Sequence, residues 1–315
     1  MSDPNYMALF YNAYNAARLH VPQERKNPFE GTVTTDVLRG EQQSYDDFGI
    51  SNLKQKTTRF ATVETTDNDM RRRWLFANWY YDAKLVDRQD NIALLSDPTG
   101  DFIKSLAYGV ERLKRNVILT AFEASVSGGK NPGGTSYSFS NTAIGSGGAV
   151  IVHDTTYAGA AGGTSKGLST DKLILIRETF SRWGVPDGVP IYLACTFRQK
   201  SDLLREQQTK GQNTSEVEAL VDGRINRYMG INFVETNGIT LTSNGDLDGD
   251  TSVFKCYAYI PEGIVLATSP APNFAVDKRA ELVGDTWQIR ADFAAAAIRR
   301  NENMVIKVEC ANTAS

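Results

Sequence analysis

Residues 97–126 read DPTGDFIKSLAYGVERLKRNVILTAFEASV. Asp97-Pro98 and Thr99-Gly100-Asp101 supply a start signal, and no proline interrupts the run. Phe102, Leu106, Val110, Leu113 and Val117 recur at helical spacing, with Ile103, Ile118 and Ala121 beside them. Lys104, Glu111, Arg112, Lys114 and Arg115 fall elsewhere on the helical wheel. The spacing predicts one helix over about 98–126, which at about 1.5 Å per residue is close to ~40 Å long. That is roughly twice the usual helix length, enough to form the backbone of a domain.

Upstream of this helix, residues 29–85 read as extended chain. Thr57–Val63 alternates β-branched and aromatic with polar residues, and Arg71–Tyr81 carries Trp74, Phe76, Trp79, Tyr80 and Tyr81. Glu64–Met70 between them is polar and turn-like, so the pattern predicts two long strands around a turn. Two strands alone are marginal in water, so a hairpin with this many aromatics requires a partner surface on its own chain or on another. Further upstream, Asp3 and Pro4 open a short amphipathic helix over 3–19, with Met7, Phe10, Tyr11, Tyr14 and Ala17 on one face. Such an arm docks either on its own chain or on a neighbour.

Downstream, residues 127–167 are rich in glycine, serine and threonine and read as loop, apart from a short strand at Ala149–Val152. Ser169 or Thr170 caps a second amphipathic helix that carries Leu173, Ile176, Phe180 and Trp183 and ends at Gly184. Strands are expected at Pro190–Cys195, Ile231–Val234, Val253–Ile260, Ile264–Ala267, Thr286–Phe293, Ala294–Ile298 and Met304–Glu309, with a short helix at Gln199–Gln208. This mixture defines an α+β domain. Candidate boundaries fall near 28, 88 and 168.

Composition narrows the function. The 315 residues carry 34 Lys+Arg against 37 Asp+Glu. A dedicated nucleic-acid binder draws its affinity from a basic excess, which this chain lacks. The three cysteines, Cys195, Cys256 and Cys310, form no CxxC pair and are expected as small buried side chains in a reducing compartment. No basic segment followed by an apolar run opens the sequence, and no stretch reaches the ~18 apolar residues of a membrane span. The product is therefore expected to stay in the cytoplasm where it is made, and the sequon at Asn213-Thr214-Ser215 is expected to be chance.

Chemistry is sparse. Only His20 and His153 are present, in no recognisable motif, and both are expected at a surface or sheet edge. Gly128-Gly129-Lys130 resembles the end of a phosphate loop, but Ala124 stands where the earlier glycine is required and Asn131 where Ser or Thr belongs. The SxxK spacing occurs at Ser51–Lys54, Ser127–Lys130 and Ser169–Lys172, without the companion Lys-Thr-Gly. Asp246-Leu247-Asp248-Gly249-Asp250 invites a calcium reading, yet Thr251 and Tyr257 replace the glycine and glutamate of an EF-hand; a polar turn between strands is the simpler reading. Arg71-Arg72-Arg73 leaves three readings open: intersubunit ion pairs, a solvated strand face, or nucleic-acid contact. No catalytic, cofactor-binding or metal residue is assigned, no cofactor is expected, and the chain is expected not to be an enzyme.

The order of elements carries a resemblance over essentially the whole chain. An N-terminal arm, a long hairpin, one very long helix, a glycine-rich stretch, an α+β unit and closing strands together resemble the major capsid proteins of tailed bacteriophages, with their Hong Kong 97-type fold. Asp101–Ala124 resembles the spine helix of that family, and Leu168–Lys172 through Gly184-Val185 its next helix and turn. Ile191–Thr196 with Asp202-Leu203-Leu204 looks like a strand leading to a helix of the axial domain. Gly223-Arg224-Ile225 through Met229–Asn237 is similar to a phrase frequent in phage capsid chains, and Ala294–Arg300 with Glu302–Val308 looks like the closing segment.

The resemblance implies an N-terminal arm at 1–28, an E-loop hairpin at 29–88, a peripheral domain at 89–167 and 285–315, and an axial domain at 168–284. It implies hexamers and pentamers in an icosahedral shell around double-stranded DNA, held without sequence-specific binding and with no membrane. The E-loop of one subunit would lie over its neighbour, giving Trp74, Phe76 and Trp79 their partner surface. Scaffolding, portal and decoration proteins are the further partners implied, with the scaffold expected as a separate protein and the N-terminus intact in particles. Some relatives form a Lys–Asn isopeptide cross-link; no residues are assigned to one here. Two other readings compete: an encapsulin-like nanocompartment of the same fold, marked by protein cargo, and a soluble hydrolase, marked by a small oligomeric state and a deep pocket.

Overall fold

The computed structural model describes residues 24–60, 62, 65, 67–86, 99–154, 166–210, 226–243, 252–282 and 286–312. The amphipathic arm at 3–19, His20, the sequon, Gly223–Ile225 and Asp246–Asp250 lie outside them.

The packing separates two compact units. Among the described residues, one takes those within 24–27, 78–114 and 268–295, and the other those within 28–77, 115–267 and 296–312.

In the first unit, β4 (Asn78–Val86) and β14 (Asn273–Lys278) flank β15 (Trp287–Arg299), both antiparallel to it, from Asn78↔Ala295 to Val86↔Trp287 on one side and Asn273↔Asp292 to Lys278↔Trp287 on the other. Alternation does the burying: Val86, Ile289 and Ala291 pack on Leu106, Phe102 and Ile103 of α1 (Thr99–Glu123). Here α1 follows the sequence reading, except that it ends at Glu123 and Val126 already belongs to a strand.

In the second unit, the later turns of α1 bury Ile118 and Phe122 among Phe29, Tyr259, Ile264 and Val305, with the Phe122 ring stacked on Tyr257 at 4.7 Å. The buried stripe thus passes to Ile118 and Phe122 instead of holding the expected line through Leu113 and Val117. A seven-residue apolar spacing drifts around a straight helix of 3.6 residues per turn.

The central sheet runs β7-β16-β12-β8-β10-β9. Its strands are β7 (Val150–Ile151), β8 (Ile191–Cys195), β9 (Arg227–Tyr228), β10 (Ile231–Glu235), β12 (Val253–Tyr259) and β16 (Val305–Ala311), with β11 (Leu241–Thr242) on β12. The β12–β16 ladder is antiparallel from Val253↔Ala311 to Tyr259↔Val305, and β16 is buried at every position, Lys307 and Glu309 included. Met229-Gly230 forms the two-residue turn between β9 and β10, with φ of 50° and 78°, the left-handed pair that a tight hairpin needs. One face of the sheet is covered by α2 (Thr170–Arg182) and α3 (Phe197–Lys210), through Leu173, Ile176, Phe180 and Leu203. Gly184 at φ 83° ends α2 as expected, and all three cysteines are buried there.

The hairpin departs from the sequence reading. Its first leg is β2 (Gln42–Phe48), not Thr57–Val63, whose described residues hold no strand. Its second leg is β3 (Met70–Phe76), in register Gln42↔Phe76 to Phe48↔Met70. The expected strand Arg71–Tyr81 is divided at Ala77, because β3 pairs with β2 and β5 (Val126–Gly128) while β4 pairs with β15. The inward residues of β2 are Gln43, Tyr45 and Asp47, so the alternation is polar and hydropathy does not mark it. Gln43 and Tyr45 both donate to Asp36, at 2.7 and 3.0 Å. With β6 (Thr135–Tyr137) the hairpin completes the sheet β2-β3-β5-β6, so part of the glycine-rich stretch read as loop is strand. Thr286–Phe293 and Ala294–Ile298, read as two strands, are one strand, β15. Beyond Ala295, β15 has β13 (Ile264–Thr268) beside it and β1 (Thr34–Val37) beyond β13.

Candidate interaction surfaces

The root of the hairpin is fixed by apolar and ionic contacts together. Leu75 of β3 packs with Val126, Val265, Ala267, Ala296 and Ile298. Beside it Arg73, 1% exposed, donates to the Arg299 carbonyl at 3.0 Å and to the Glu302 carboxylate. Arg299, fully buried, donates to the carbonyls of Phe122 and Ala124, and its Nη2 lies 3.5 Å from Glu302. Burial pulls the Arg299 pKa below its ordinary value, against the attraction of Glu302. For Glu302, burial acts upward, but the Arg73 hydrogen bond and the charges of Arg73 and Arg299 outweigh it, and its pKa lies below the usual carboxylate value. Arg300 pairs with Asp47 of β2 at 3.6 Å, and there burial dominates and raises the Asp47 pKa.

The arginine triplet therefore splits. Arg73 is an internal strut, which removes it from the surface readings. Arg72 is exposed, forks onto Asp46 at 2.7 and 2.8 Å and lies 5.9 Å over the Trp74 ring; Arg71 is exposed beside Asp69. Trp74, expected to need a neighbouring subunit, finds a partner in its own chain: its indole N–H donates to the Gly129 carbonyl at 2.9 Å.

On the outward face of the hairpin the exposed Asp46–Arg72 pair gives way toward the tip to exposed hydrophobic side chains. Phe48 and Met70 stand opposite one another, 72% and 68% exposed. Past them, Ile50, Leu53 and Phe60 of the tip are almost wholly exposed. In the first unit, Trp79, Tyr81 and Leu85 of β4 are exposed on alternate positions. Beside them lies a hollow of about 250 Å³ lined by Tyr80, Leu106, Val110, Leu113 and Phe293. Apolar side chains presented this way in a single chain mark contact with another molecule.

Sites that invite chemistry are dispersed. His153 is buried, not at the surface, and follows β7, which is the edge strand of the central sheet among the described strands. Lys130 stands in the β5–β6 turn, where Ser127 Oγ accepts from the Gly133 N–H at 2.8 Å. Ser51 accepts from Asn68 at the tip. Lys172 is buried and donates to the Lys166 and Glu309 carbonyls at 2.9 and 2.8 Å; burial pulls its pKa down. Lys307, equally buried, bonds Asn141 and lies 3.4 Å from Glu309 and 3.7 Å from Glu123. Among the described residues no group of three or more His, Cys, Asp or Glu converges as a metal site. No helix among them is long and apolar enough to cross a membrane. The buried cations Arg299, Lys172 and Lys307 went unread in the sequence, because charge in a chain ordinarily signals solvent and their partners are remote.

The sequence family described as phage capsid protein matches residues 7–312. No curated protein matches the chain. Among solved structures, it is similar to the capsid asymmetric unit of the cyanophage Pam1, with a TM-score of 0.70 at 12% identity over 95% of either chain. It is also similar to the capsid of the cyanophage P-SCSP1u, with a TM-score of 0.68 at 12% identity, covering 97% of this chain and 94% of that one. The capsid of Ralstonia phage GP4 gives 0.65 at 12% identity over 96% of either chain. At such identity the likeness is one of fold.

Proposed function

This chain belongs to the phage capsid protein family, and from that premise we propose how its copies build the icosahedral head as the major structural subunit. The observation that carries the proposal is the hairpin, anchored at its root by Arg73, Arg299 and Glu302 and carrying Phe48, Met70, Ile50, Leu53 and Phe60 exposed toward the tip. A lever fixed at one end and unsatisfied at the other is suited to lie over the next subunit in a hexamer or pentamer. Phe48, Met70, Phe76 and Trp79 then lose their water to that neighbour, at about 25 cal/mol per Å² of apolar surface covered. The α1 helix, long and packed along its length, resists shear between subunits.

The division of labour follows chain order: an arm at 1–28, the E-loop at 29–88, the peripheral domain at 89–167 and 285–315, and the axial domain at 168–284. The packing units cut differently, within α1 after Lys114 and within β15 after Ala295. A formal net charge of −3 suits a shell that encloses double-stranded DNA without gripping its sequence, since a strongly basic lumen would hold the genome and impede packaging and release. The role is structural and not catalytic, assembly takes place in the host bacterial cytoplasm, and scaffolding, portal and decoration proteins complete the particle.

Negative-stain microscopy and sedimentation of the protein, expressed alone and with its scaffold, test this reading. Closed shells, capsomers or hexameric sheets are expected. A monomer that persists at high concentration with scaffold present overturns it.

A further inference from the structure

Lys307 stands on a strand that is held on both sides. It lies opposite Tyr257 of β12 and Val150 of β7, and its N–H donates to the Ala149 carbonyl at 2.9 Å. Its side chain is 3% exposed, yet the amine meets three groups that can react with it or carry its protons. Nζ donates to Asn141 Oδ1 at 2.5 Å, and lies 3.4 Å from Glu309 and 3.7 Å from Glu123. Glu123 also accepts from the Tyr257 hydroxyl at 3.2 Å, whereas Glu309 is completely buried beside the amine. Asn141 is set in place by the residue after it: the Thr142 carbonyl accepts from the Val150 N–H at 3.0 Å.

An amine and a carboxylate buried together under a carboxamide are the reactants and the proton carrier of a transamidation. The amide carbon of Asn141 lies one carbonyl bond, about 1.2 Å, beyond the oxygen that Nζ touches. It is therefore within about 3.7 Å of the amine, close to the ~3–3.5 Å separation from which positioned groups react. Asn141 itself is exposed, which gives a leaving nitrogen a way out to solvent.

We propose that Lys307 and Asn141 join in an isopeptide bond within the single chain, with Glu309 carrying the protons. Nζ bonds to the Asn141 amide carbon, and the bond from that carbon to Nδ2 breaks. Of the three ammonium protons, one remains as the N–H of the new amide. The other two pass by way of Glu309 to Nδ2, which leaves as ammonium, so atoms and charge balance without a further reactant. The bond joins no two subunits. It closes a loop across 166 positions of one chain, and cross-links over long loops confine the unfolded chain most.

Mass spectrometry of the purified full chain, denatured before measurement, tests the proposal. A mass lower by one ammonia than the sequence requires is expected. Trypsin does not cleave after an acylated lysine, so digestion is expected to give one branched peptide in which 131–166 is joined through Lys307 to an uncut 301–315. Asn141→Ala, at an exposed loop position, is expected to carry the full mass of its own sequence and to yield the two peptides separately, with cleavage after Lys307. In folded Glu309→Gln the bond is expected to form at least about a hundredfold more slowly, and an unchanged rate takes the proton relay away from Glu309. The full sequence mass in the wild type overturns the bond, as does a loss of ammonia without the branched peptide. A branch at Lys307 that survives in Asn141→Ala also overturns it.

Discussion

Arg73 donates to the main-chain carbonyl of Arg299 at 3.0 Å, which brings two buried guanidinium groups onto the single carboxylate of Glu302. One arginine belongs to the hairpin and the other to β15, so the carboxylate is the clasp between the hairpin and the sheet that carries it. Glu302→Ala leaves both guanidinium groups without their counter-charge, and breaking a buried pair costs about 3–5 kcal/mol. Urea unfolding of dissociated subunits is expected to show a loss of that size. A loss under about 1 kcal/mol, the range of an exposed pair, would show that the cluster holds nothing.

The same clasp gives an acid-sensitive root. The Glu302 pKa lies below its ordinary value of 4.5, so its pairing stabilises the fold above that value and is lost as pH falls through the lower, folded-state pKa. Asp47 has the opposite sign: its raised pKa means that ionisation above the ordinary carboxylate value of 3.8 costs stability, which protonation restores. Glu302→Gln is therefore expected to flatten the acid limb of a stability–pH profile measured from pH 6 downward, and Asp47→Asn to steepen it. Identical profiles for wild type and Glu302→Gln would refute the assignment.

How much of this was readable from the sequence depended on what each element buries. The α1 helix and the β12 and β16 strands were legible because long apolar periodicity leaves few alternatives. The first leg of the hairpin was not, since Gln43, Tyr45 and Asp47 point inward to polar partners. The clasp was illegible: Arg73 and Glu302 are 229 residues apart, and no local pattern distinguishes an internal arginine from the exposed Arg71 and Arg72 beside it. Aromatic content marked Trp74, Phe76 and Trp79 as needing a partner surface; Trp79 stands exposed, whereas Trp74 finds a partner in its own chain, a glycine carbonyl in a stretch read as loop.

That glycine stretch yields a further test. At Gly128, opposite Arg73, an added Cβ would lie 2.1 Å from the Tyr137 ring and 2.9 Å from the Arg72 carbonyl. The Tyr137 ring is itself held 4.8 Å from the Arg73 guanidinium. Gly128→Ala must displace both ring and strand, and overpacking of this kind costs about 1–3 kcal/mol. A lower melting temperature is expected, together with faster amide exchange in β3. A melting temperature equal to that of the wild type would show that the turn is slack.

The outward face of the hairpin should matter to assembly and little to folding. Phe48 and Met70 are exposed and face one another across the two legs. In a single chain, Phe48→Asp or Met70→Asp removes almost no buried contact, so dissociated subunits are expected to keep their stability within about 0.5 kcal/mol. In the shell the same carboxylate would be pressed against a neighbour. Burying an unpaired charge there opposes each contact, and the opposition recurs around every capsomer. Sedimentation is expected to show subunits or small oligomers where the wild type gives particles, with Phe48→Leu assembling normally. Full assembly of both aspartate variants would move the intersubunit contact away from this face of the hairpin.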